Sequence, residues 1–564
     1  MIKSFLLGLV YFTVVCQTVF PQFDKTVSQL PKGEPFKIER GSSFSASTSV
    51  IAKTAVNETN VSQDFSEALD VIKNNYVERK KVDYNELTKS SISAMLRTLD
   101  PHSNYFDAQE YEELLEDQRS EYFGIGATIA NYKEKNSYET FIVSTFPESP
   151  AAHAGLRFGD KFITINGEKV SGKDSSYVRD KVRGKRGTIV RVTVEKFDSR
   201  KIETVEIRRN RVPSPSIPDA YLLRQNIGYI DLSEGFNYTT LDEFNAVLTE
   251  LKSQGMTSLI LDLRDNPGGV LEQSVRLAEK FIPRGQTIVS QRGRFAIDNR
   301  VWKSENRNPE SFPLVVIVNE NSASASEIVA GALQDHDRAL IVGENTFGKG
   351  LVQSVINLPF DSGLTLTTAR YYTPSGRSIQ RDYLNESIYD YYNHKNQKPL
   401  AQIQNNASKT VTGRTIYGGN GITPDEVEKS LPLSSFELEL LDPIFLFSRD
   451  VAGGRTKNFE NFRITKPVKF GQRISSGNIP VPDEMFETFK DFVKRNNGEI
   501  SIGLLEKEKP YIIQRLRYYL ATANFGIIAS KQVLTETDPQ ISKAIISLPL
   551  AKQLAQSAQK VRKN

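Results

Sequence analysis

From Phe65 to about Leu115 the apolar residues recur at helical spacing: Ala68, Leu69 and Ile72, then Leu87, Ile92, Met95 and Leu96. This predicts an N-terminal helical region over 63–119, closed by the Pro-centred turn in "TLDPHSNYF". Between about 120 and 209 the pattern changes to short alternating runs, "YFGIGATIA", "TFIVSTF", "SPAAHAGLRFGDKFITING" and "GTIVRVTVEK", with Gly and Asp turns. That predicts a small β-rich domain with one helix near 175–183. Beyond the Pro-rich joint "RNRVPSPSIPDA" come "IGYIDL", "SLILDL", "LVVIVN" and "ALIVGE", apolar runs that fit strands covered on both faces. Helical segments follow Asp242, Leu271 and Ser324, so 210–430 reads as an α/β core. Residues 431–564 are helical by pattern and end in a basic, polar tail. Residues 21–62, rich in Ser, Thr, Lys and Pro without periodicity, read as a linker, and no repeat of solenoid period is present.

At 564 residues the chain predicts roughly three or four domains. With 38% apolar and 25% charged residues it has a soluble globular composition, which excludes wholesale disorder and a polytopic membrane protein. Its 72 basic and 68 acidic residues show no long run of either sign, so no nucleic-acid surface is expected. The opening "MIKSFLLGLVYFTVVCQTVF" has the shape of a signal peptide, with a retained anchor as the alternative over 1–20. Cys16 is the only cysteine. Its lipidation stays open, and no internal disulfide can form.

The candidate chemistry lies in "NENSASASEIVAGALQDHDRALIVGENTFGKGLVQ", which reads as a tight turn, a helix and the next strand. Ser322, Ser324 and Ser326 stand on alternate positions at the helix start, where unpaired amides and the helix dipole favour developing negative charge. The alternative is that the serines only cap the helix. A nucleophile needs a base, and the histidines are poorly placed. His336 is roughly 18 Å along the helix from Ser324. His102 follows a turn proline, His153 lies in the β-rich domain, and His394 offers no partner.

Lys349 sits in a Gly-Lys-Gly turn at a strand edge. In an apolar site its charged form is disfavoured, and the neutral amine can act as a general base. Gln353, four residues on, is placed to hold that amine. In "SLILDLRDNPGG" the strand ends in a turn where Gly268 and Gly269, with the amide of Ala325, could form an oxyanion hole.

These motifs together resemble the C-terminal processing peptidases, the tail-specific serine peptidases of family S41, over about residues 65–430. Ser324 matches the family's nucleophile in its "TASASE"-like motif, with Ser322 at the Thr position; Lys349 and Gln353 fit the family's spacings. The resemblance implies a ClpP/crotonase-like α/β protease core with an inserted β-rich PDZ domain at 120–209, flanked by helical N- and C-terminal regions. "FGIGATI" resembles the PDZ loop that receives a peptide's terminal carboxylate, which makes Phe123, Gly124, Ile125 and Gly126 the candidate peptide-binding residues. "LDPHSNYF" and "YGGNGITPDEVEKS" also resemble the family.

The resemblance implies an exported endopeptidase of the periplasm or cell envelope, acting on apolar or unfolded C-terminal tails by a Ser-Lys dyad. No metal or cofactor is expected, since neither a zinc-ligand cluster nor a phosphate loop is found. Membrane association would run through the N-terminus. For residues 431–564 a dimerisation, scaffold-binding or substrate-recruiting role is left open. The rival readings are a catalytically inactive PDZ peptide-binding adaptor and a His-Asp serine hydrolase; the absence of G-x-S-x-G argues against the second.

Overall fold

The computed structural model describes residues 58–77, 83–118, 121–384, 387–393, 407–496 and 500–563. The expected signal or anchor with Cys16, most of the linker and His394 lie outside the described residues. The first helix, α1 (Glu58–Asn75), begins inside the segment expected to be linker. No proline or glycine interrupts the sequence between Gly41 and Glu58, so nothing local ends the helix at 63. After α2 (Tyr84–Arg97), whose first amides bond the Asp83 carboxylate, "PHSNYF" leads into strand β1 (Asn104–Phe106) and then α3 (Ala108–Gln118). The N-terminal region is therefore not wholly helical.

The β-rich domain is entered by β2 (Glu121–Gly124) and left by β9 (Asn210–Pro213), which pair with each other as a two-stranded neck. The expected Pro-rich joint is thus partly a strand. Its prolines lie at the end of β9 and beyond, where no ladder amide is needed. Between the two neck strands stand β3 (Ala127–Glu134), β4 (Ser137–Thr145), helix α4 (Pro150–His153), β5 (Lys161–Ile165), β6 (Glu168–Lys169), α5 (Ser175–Val182), β7 (Ile189–Glu195) and β8 (Ile202–Arg208). The sheet runs β3-β4-β5-β7-β8, which makes β3 an edge strand. Ile129, Ile142, Leu156, Phe162, Val178 and Val192 form its interior.

The α/β core contains β10 (Asp219–Leu222), β11 (Ile227–Asp231), α6 (Thr240–Ser253), β12 (Ser258–Asp262) and α7 (Leu271–Glu279). After the antiparallel pair β13 (Thr287–Gly293) and β14 (Arg300–Lys303) come β15 (Leu314–Val318), α8 (Ala325–Asp335), β16 (Leu340–Gly343), β17 (Leu351–Asn357), β18 (Gly363–Tyr372), α9 (Ile388–Tyr392), β19 (Ala407–Lys409), β20 (Thr415–Tyr417) and β21 (Glu426–Val427). One sheet has the order β10-β11-β12-β15-β16-β21, parallel apart from β10. A second runs β1-β18-β13-β14, with β17 also paired to β18. The residues of β11, β12 and β15 are buried throughout, because alternate side chains enter two different cores. Leu259, Leu261, Val316 and Val318 meet the side of α6, α7 and α8. Ile260, Val315 and Ile317 meet Ile541, Ala544, Leu548 and Ala551 on the opposite face.

Those last four residues belong to the C-terminal region, which consists of α10 (Ser435–Ala452), α11 (Asp483–Asn496), α12 (Ile502–Lys507), α13 (Lys509–Thr535) and α14 (Pro539–Lys563). Helix α14 is the cover of the parallel sheet. Ala544→Asp, at a fully buried position, puts an unpaired charge against β15 and β16. It is expected to lower stability by about 3 kcal/mol, read as a shift of the urea midpoint.

The other helices close on the β-rich domain. Tyr132 of β3 stacks on Phe445 of α10, with ring centroids 3.6 Å apart and 3° between planes. Arg449 is fully buried and donates to the Gly159 carbonyl at 2.5 Å and to Glu195 at 2.9 Å, while Arg200 reaches Asp450 at 2.9 Å. Helix α13 breaks at Gly526 (φ 85°, ψ 167°). Beyond the break Gln532 and Thr535 bond Asp219 and Tyr221 of the α/β core. One C-terminal region is thereby packed against both the β-rich domain and the α/β core.

Candidate active site

The three serines at the start of α8 have different tasks. Ser322 Oγ donates to the Leu263 carbonyl at 2.7 Å and accepts from the Asn319 amide at 3.0 Å; Ser326 Oγ donates to the Asn266 carbonyl at 3.0 Å. These two fasten the helix start to the turn that follows β12. Ser324 caps no amide with its hydroxyl, and its Oγ lies 3.0 Å from the Tyr371 hydroxyl. Its backbone, at φ 55° and ψ −111°, is outside the regions ordinary L-residues occupy, a strain that concentrates at functional positions. The local geometry therefore separates one presented serine from two structural ones.

Glu327, fully buried one turn into α8, organises the surroundings. Its Oε2 accepts from the backbone amides of both Ser324 (2.9 Å) and Lys349 (2.8 Å). Its Oε1 accepts from Thr346 Oγ1 (2.5 Å) and the Gly348 amide (2.8 Å). Burial raises the carboxyl pKa and these donors pull it back. Three backbone amides donate to the group, and the Thr346 hydroxyl can donate to it or accept from it. Glu327 thus ties the strained serine to the Gly-Lys-Gly turn through one shared oxygen.

Lys349 is half-buried, and desolvation lowers its pKa to about 8 against the opposing charges of Glu327 and Asp100. Among the described residues no hydrogen bond joins its amine to Ser324. Asp100 belongs to the turn before β1, where its carboxylate accepts from the His102 and Ser103 amides at 2.8 and 2.9 Å. Ser103 Oγ in turn accepts from the Thr367 amide of β18 at 3.1 Å. Gln353 donates to Thr367 Oγ1 at 3.2 Å, so in this structure its amide is not on the amine. Lys349 precedes β17, whose first residue is Leu351, so the strand alternation from which a shared face was expected does not reach it.

Of the amides expected to receive an oxyanion, that of Ala325 opens α8 and has no carbonyl one turn back. The Gly268 amide donates to Asn266 Oδ1 at 2.9 Å and is already engaged. The Gly268 carbonyl accepts from Phe236 at 2.6 Å, and across a planar trans peptide this turns the Gly269 N–H the opposite way. Only glycine fits at 268: φ is 100°, and a Cβ would lie 2.7 Å from the Ser324 Cβ.

The histidines are accounted for elsewhere. His336 Nε2 pairs with the Thr287 carbonyl at 2.7 Å, and the exposed His153 meets Glu148 at 3.1 Å. His102 is buried with Nε2 2.9 Å from the Tyr391 hydroxyl. Burial, then the charges of Lys349 and Arg381, hold its pKa well below the usual value. It is a neutral wall of the lysine's surroundings, nearer the site than the sequence suggested.

Tyr371 is the other group the sequence did not bring forward. Burial pushes its pKa up to about 12, so its hydroxyl stays neutral beside Ser324. Removing it with Tyr371→Phe frees Ser324 Oγ of a bond worth about 1 kcal/mol. The expected result is a roughly fivefold faster reaction of Ser324 with a small aryl phosphonate. An unchanged or slower rate would show that the tyrosine does not restrain the serine.

In the β-rich domain the Ile125 carbonyl accepts from Ala151 at 2.7 Å and that of Gly126 from Phe146 at 3.0 Å. The Gly126 and Ala127 amides therefore point away from those inward partners. A Cβ at Gly126 would lie 2.4 Å from the Ser149 Cβ, with φ 74°. The loop from Phe123 to Gly126 thus sits at the head of edge strand β3, with Phe123 and Gly124 ending β2.

Comparison with known proteins agrees with this arrangement. Residues 226–389 match peptidase family S41, 142–196 match a PDZ domain, and 36–110 match the activating protease CtpB N-terminal domain. The carboxy-terminal-processing protease of Bartonella bacilliformis is 36% identical over 347 residues, covering 60% of this chain and 78% of that protein. The carboxy-terminal processing protease CtpB of Bacillus subtilis is 34% identical over 324 residues, 57% of this chain and 66% of that one. A photosystem II D1 C-terminal processing protease structure aligns at 27% identity and TM-score 0.33, covering 64% of this chain and 87% of that chain. The fold is that of an S41 protease with a PDZ domain and helical terminal regions. The chain belongs to the carboxy-terminal processing peptidases of family S41.

Proposed function

We propose that this peptidase is an exported endopeptidase of the bacterial cell envelope, most simply the periplasm, that engages apolar or unfolded C-terminal tails and cuts upstream of them with Ser324 and Lys349. The observation that supports the pair is the single Glu327 oxygen bonded to both backbone amides, which holds a strained serine beside a desolvated lysine.

In this reading, rotation of the Ser324 side chain exchanges Tyr371 for the Lys349 amine. The neutral amine takes the Oγ proton as Oγ bonds to the peptide carbonyl carbon. The carbonyl oxygen gathers charge against the Ala325 and Gly269 amides. Lys349 returns the proton to the leaving nitrogen as the C–N bond breaks, leaving an acyl-serine. It then takes a proton from the water that hydrolyses the ester and regenerates Ser324. Gln353 would hold the amine after its side chain turns from Thr367, and the PDZ loop 123–126 would receive the tail's carboxylate.

The test is cleavage of a denatured protein with an apolar C-terminus, followed on gels for the wild type and Ser324→Ala. Loss of cutting in a folded variant that still binds the tail supports the assignment. Cutting by Ser324→Ala would overturn it.

A further inference from the structure

The Glu327 carboxyl holds the Gly348-Lys349-Gly350 turn from one side. The other side lies against residues 380 and 381. The Arg381 amide donates to the Gly348 carbonyl at 2.9 Å, and the Gly350 amide donates to Gln380 Oε1 at 2.8 Å. The approach is close enough to require both glycines. A Cβ at 350 would lie 2.9 Å from the Gln380 backbone nitrogen, and one at 348, where φ is 87°, would lie 2.9 Å from the Arg381 Cβ. Residues 378 and 379 are pinned in turn from "YGGNG", whose Gly419 and Gly421 amides donate to the Ser378 and Ile379 carbonyls at 2.7 and 3.0 Å. From Gln380 the contacts continue as a directed chain. The Gly350 N–H fixes Oε1 toward the turn, so the NH2 faces the other way, where it donates to the Arg381 carbonyl at 2.8 Å and to Tyr391 Oη at 3.2 Å. Having accepted there, the buried Tyr391 hydroxyl donates its own proton to Nε2 of neutral His102, 2.9 Å away, which sets the His102 proton on Nδ1. The "LDPHS" turn that carries His102 is also tied to α9 by Tyr392 Oη, which donates to the Pro101 carbonyl at 2.6 Å.

We propose that Gln380 and Tyr391 are positioning residues of the peptidase reaction: the chain from His102 through Tyr391 to Gln380 holds the Gly350 end of the turn, as Glu327 holds its Gly348 end, and so fixes the backbone from which the Lys349 amine reaches Ser324. An amine on a flexible four-carbon stem is only as well placed as the backbone beneath it. A misplacement of about 1 Å lowers a rate by on the order of 10²-fold. The two stretches outside the dyad thereby act on its base, "LDPHS" through His102 and "YGGNG" through residues 378 and 379.

This placement presupposes Lys349 as the base, and the experiment separates the two. Full-length wild type, Gln380→Met, Tyr391→Phe, their double variant and Lys349→Ala are compared for kcat and KM on a tailed substrate and for the rate at which an aryl phosphonate labels Ser324. Gln380→Met is expected to lower kcat about tenfold with KM within about twofold. Tyr391→Phe, which acts through Gln380, is expected to lower kcat about threefold alone and to add less than about twofold to Gln380→Met. Made in the Lys349→Ala background, either substitution should change the labelling rate by less than about twofold, because no amine is left to place. An equal loss in that background would make these residues structural and overturn the inference, as would an unchanged kcat or a loss confined to KM. Multiplied losses in the double variant overturn the chain. Tyr391→Phe keeps the buried ring and decides the matter alone if Gln380→Met fails to fold. Wild-type kcat in Lys349→Ala would overturn the base itself, and the positioning chain with it.

Discussion

Replacing Lys349 with alanine is expected to lower kcat/KM on a tailed substrate by about 10³-fold, the scale of a lost general base. The wild-type enzyme carries the matching signature in its pH dependence. Burial brings the Lys349 pKa down to about 8, so kcat/KM rises with pH as the amine loses its proton and levels off above about 8. A profile controlled instead near pH 6.5 would point to a histidine. The same residue also makes a prediction for stability. Between about 8 and 10.5 the unfolded chain binds a proton that the folded chain has released, so this site's contribution to stability improves as pH rises. Below about 8 both states are protonated and the penalty of the buried charge is fully present. Lys349→Met removes it, and the inactive variant is expected to be more stable at pH 7 by about 1 kcal/mol, measured by urea unfolding. A variant destabilised at pH 7 would mean that the lysine is tolerated for structure.

Glu327→Gln changes one oxygen to nitrogen and is expected to be nearly as damaging as loss of the lysine. The carboxyl group meets two backbone amides on one oxygen, and an amide and a hydroxyl on the other. Whichever way a glutamine amide is turned, its NH2 faces at least one buried backbone N–H, that of Gly348 or those of Ser324 and Lys349. Leaving such donors unpaired costs about 3 kcal/mol. The separation of Ser324 from Lys349 relaxes, which is expected to lower kcat by about 10²-fold with KM little changed. Glu327→Asp, too short to span both residues, should not rescue kcat. A Gln variant with normal kcat and stability would show that the shared oxygen does not set the geometry.

The sequence carried Ser324 because a buried strand, a tight turn and a small-residue helix follow one another there, and Lys349 because glycines flank it at a strand edge. It also contained Glu327, three positions after Ser324 in capping-box spacing, but that spacing by itself suggests only half of the bonding seen. The link from Glu327 to Lys349 crosses to another strand. Tyr371 lies 47 residues from Ser324, and Thr367 lies 264 from Ser103; such pairings follow from β18 register, which no local pattern fixes. Helical periodicity was legible beyond 431, while the contact of Phe445 with Tyr132 was not. That contact also changes how the PDZ domain should be tested. Deleting residues 121–209 would strip the partners of Phe445 and Arg449, so loop variants such as Gly126→Val isolate tail binding better.

The most direct test of the Ser324–Lys349 site is mapping of the covalent adduct. The folded protein is treated with an aryl phosphonate at pH 8.5, digested, and read by mass spectrometry, with Lys349→Ala alongside. The predicted result is a single phosphonyl group on Ser324 in the wild type and a labelling rate lower by about two orders of magnitude in the variant. An adduct on Ser322, Ser326 or another residue, or equal labelling of both proteins, would contradict it.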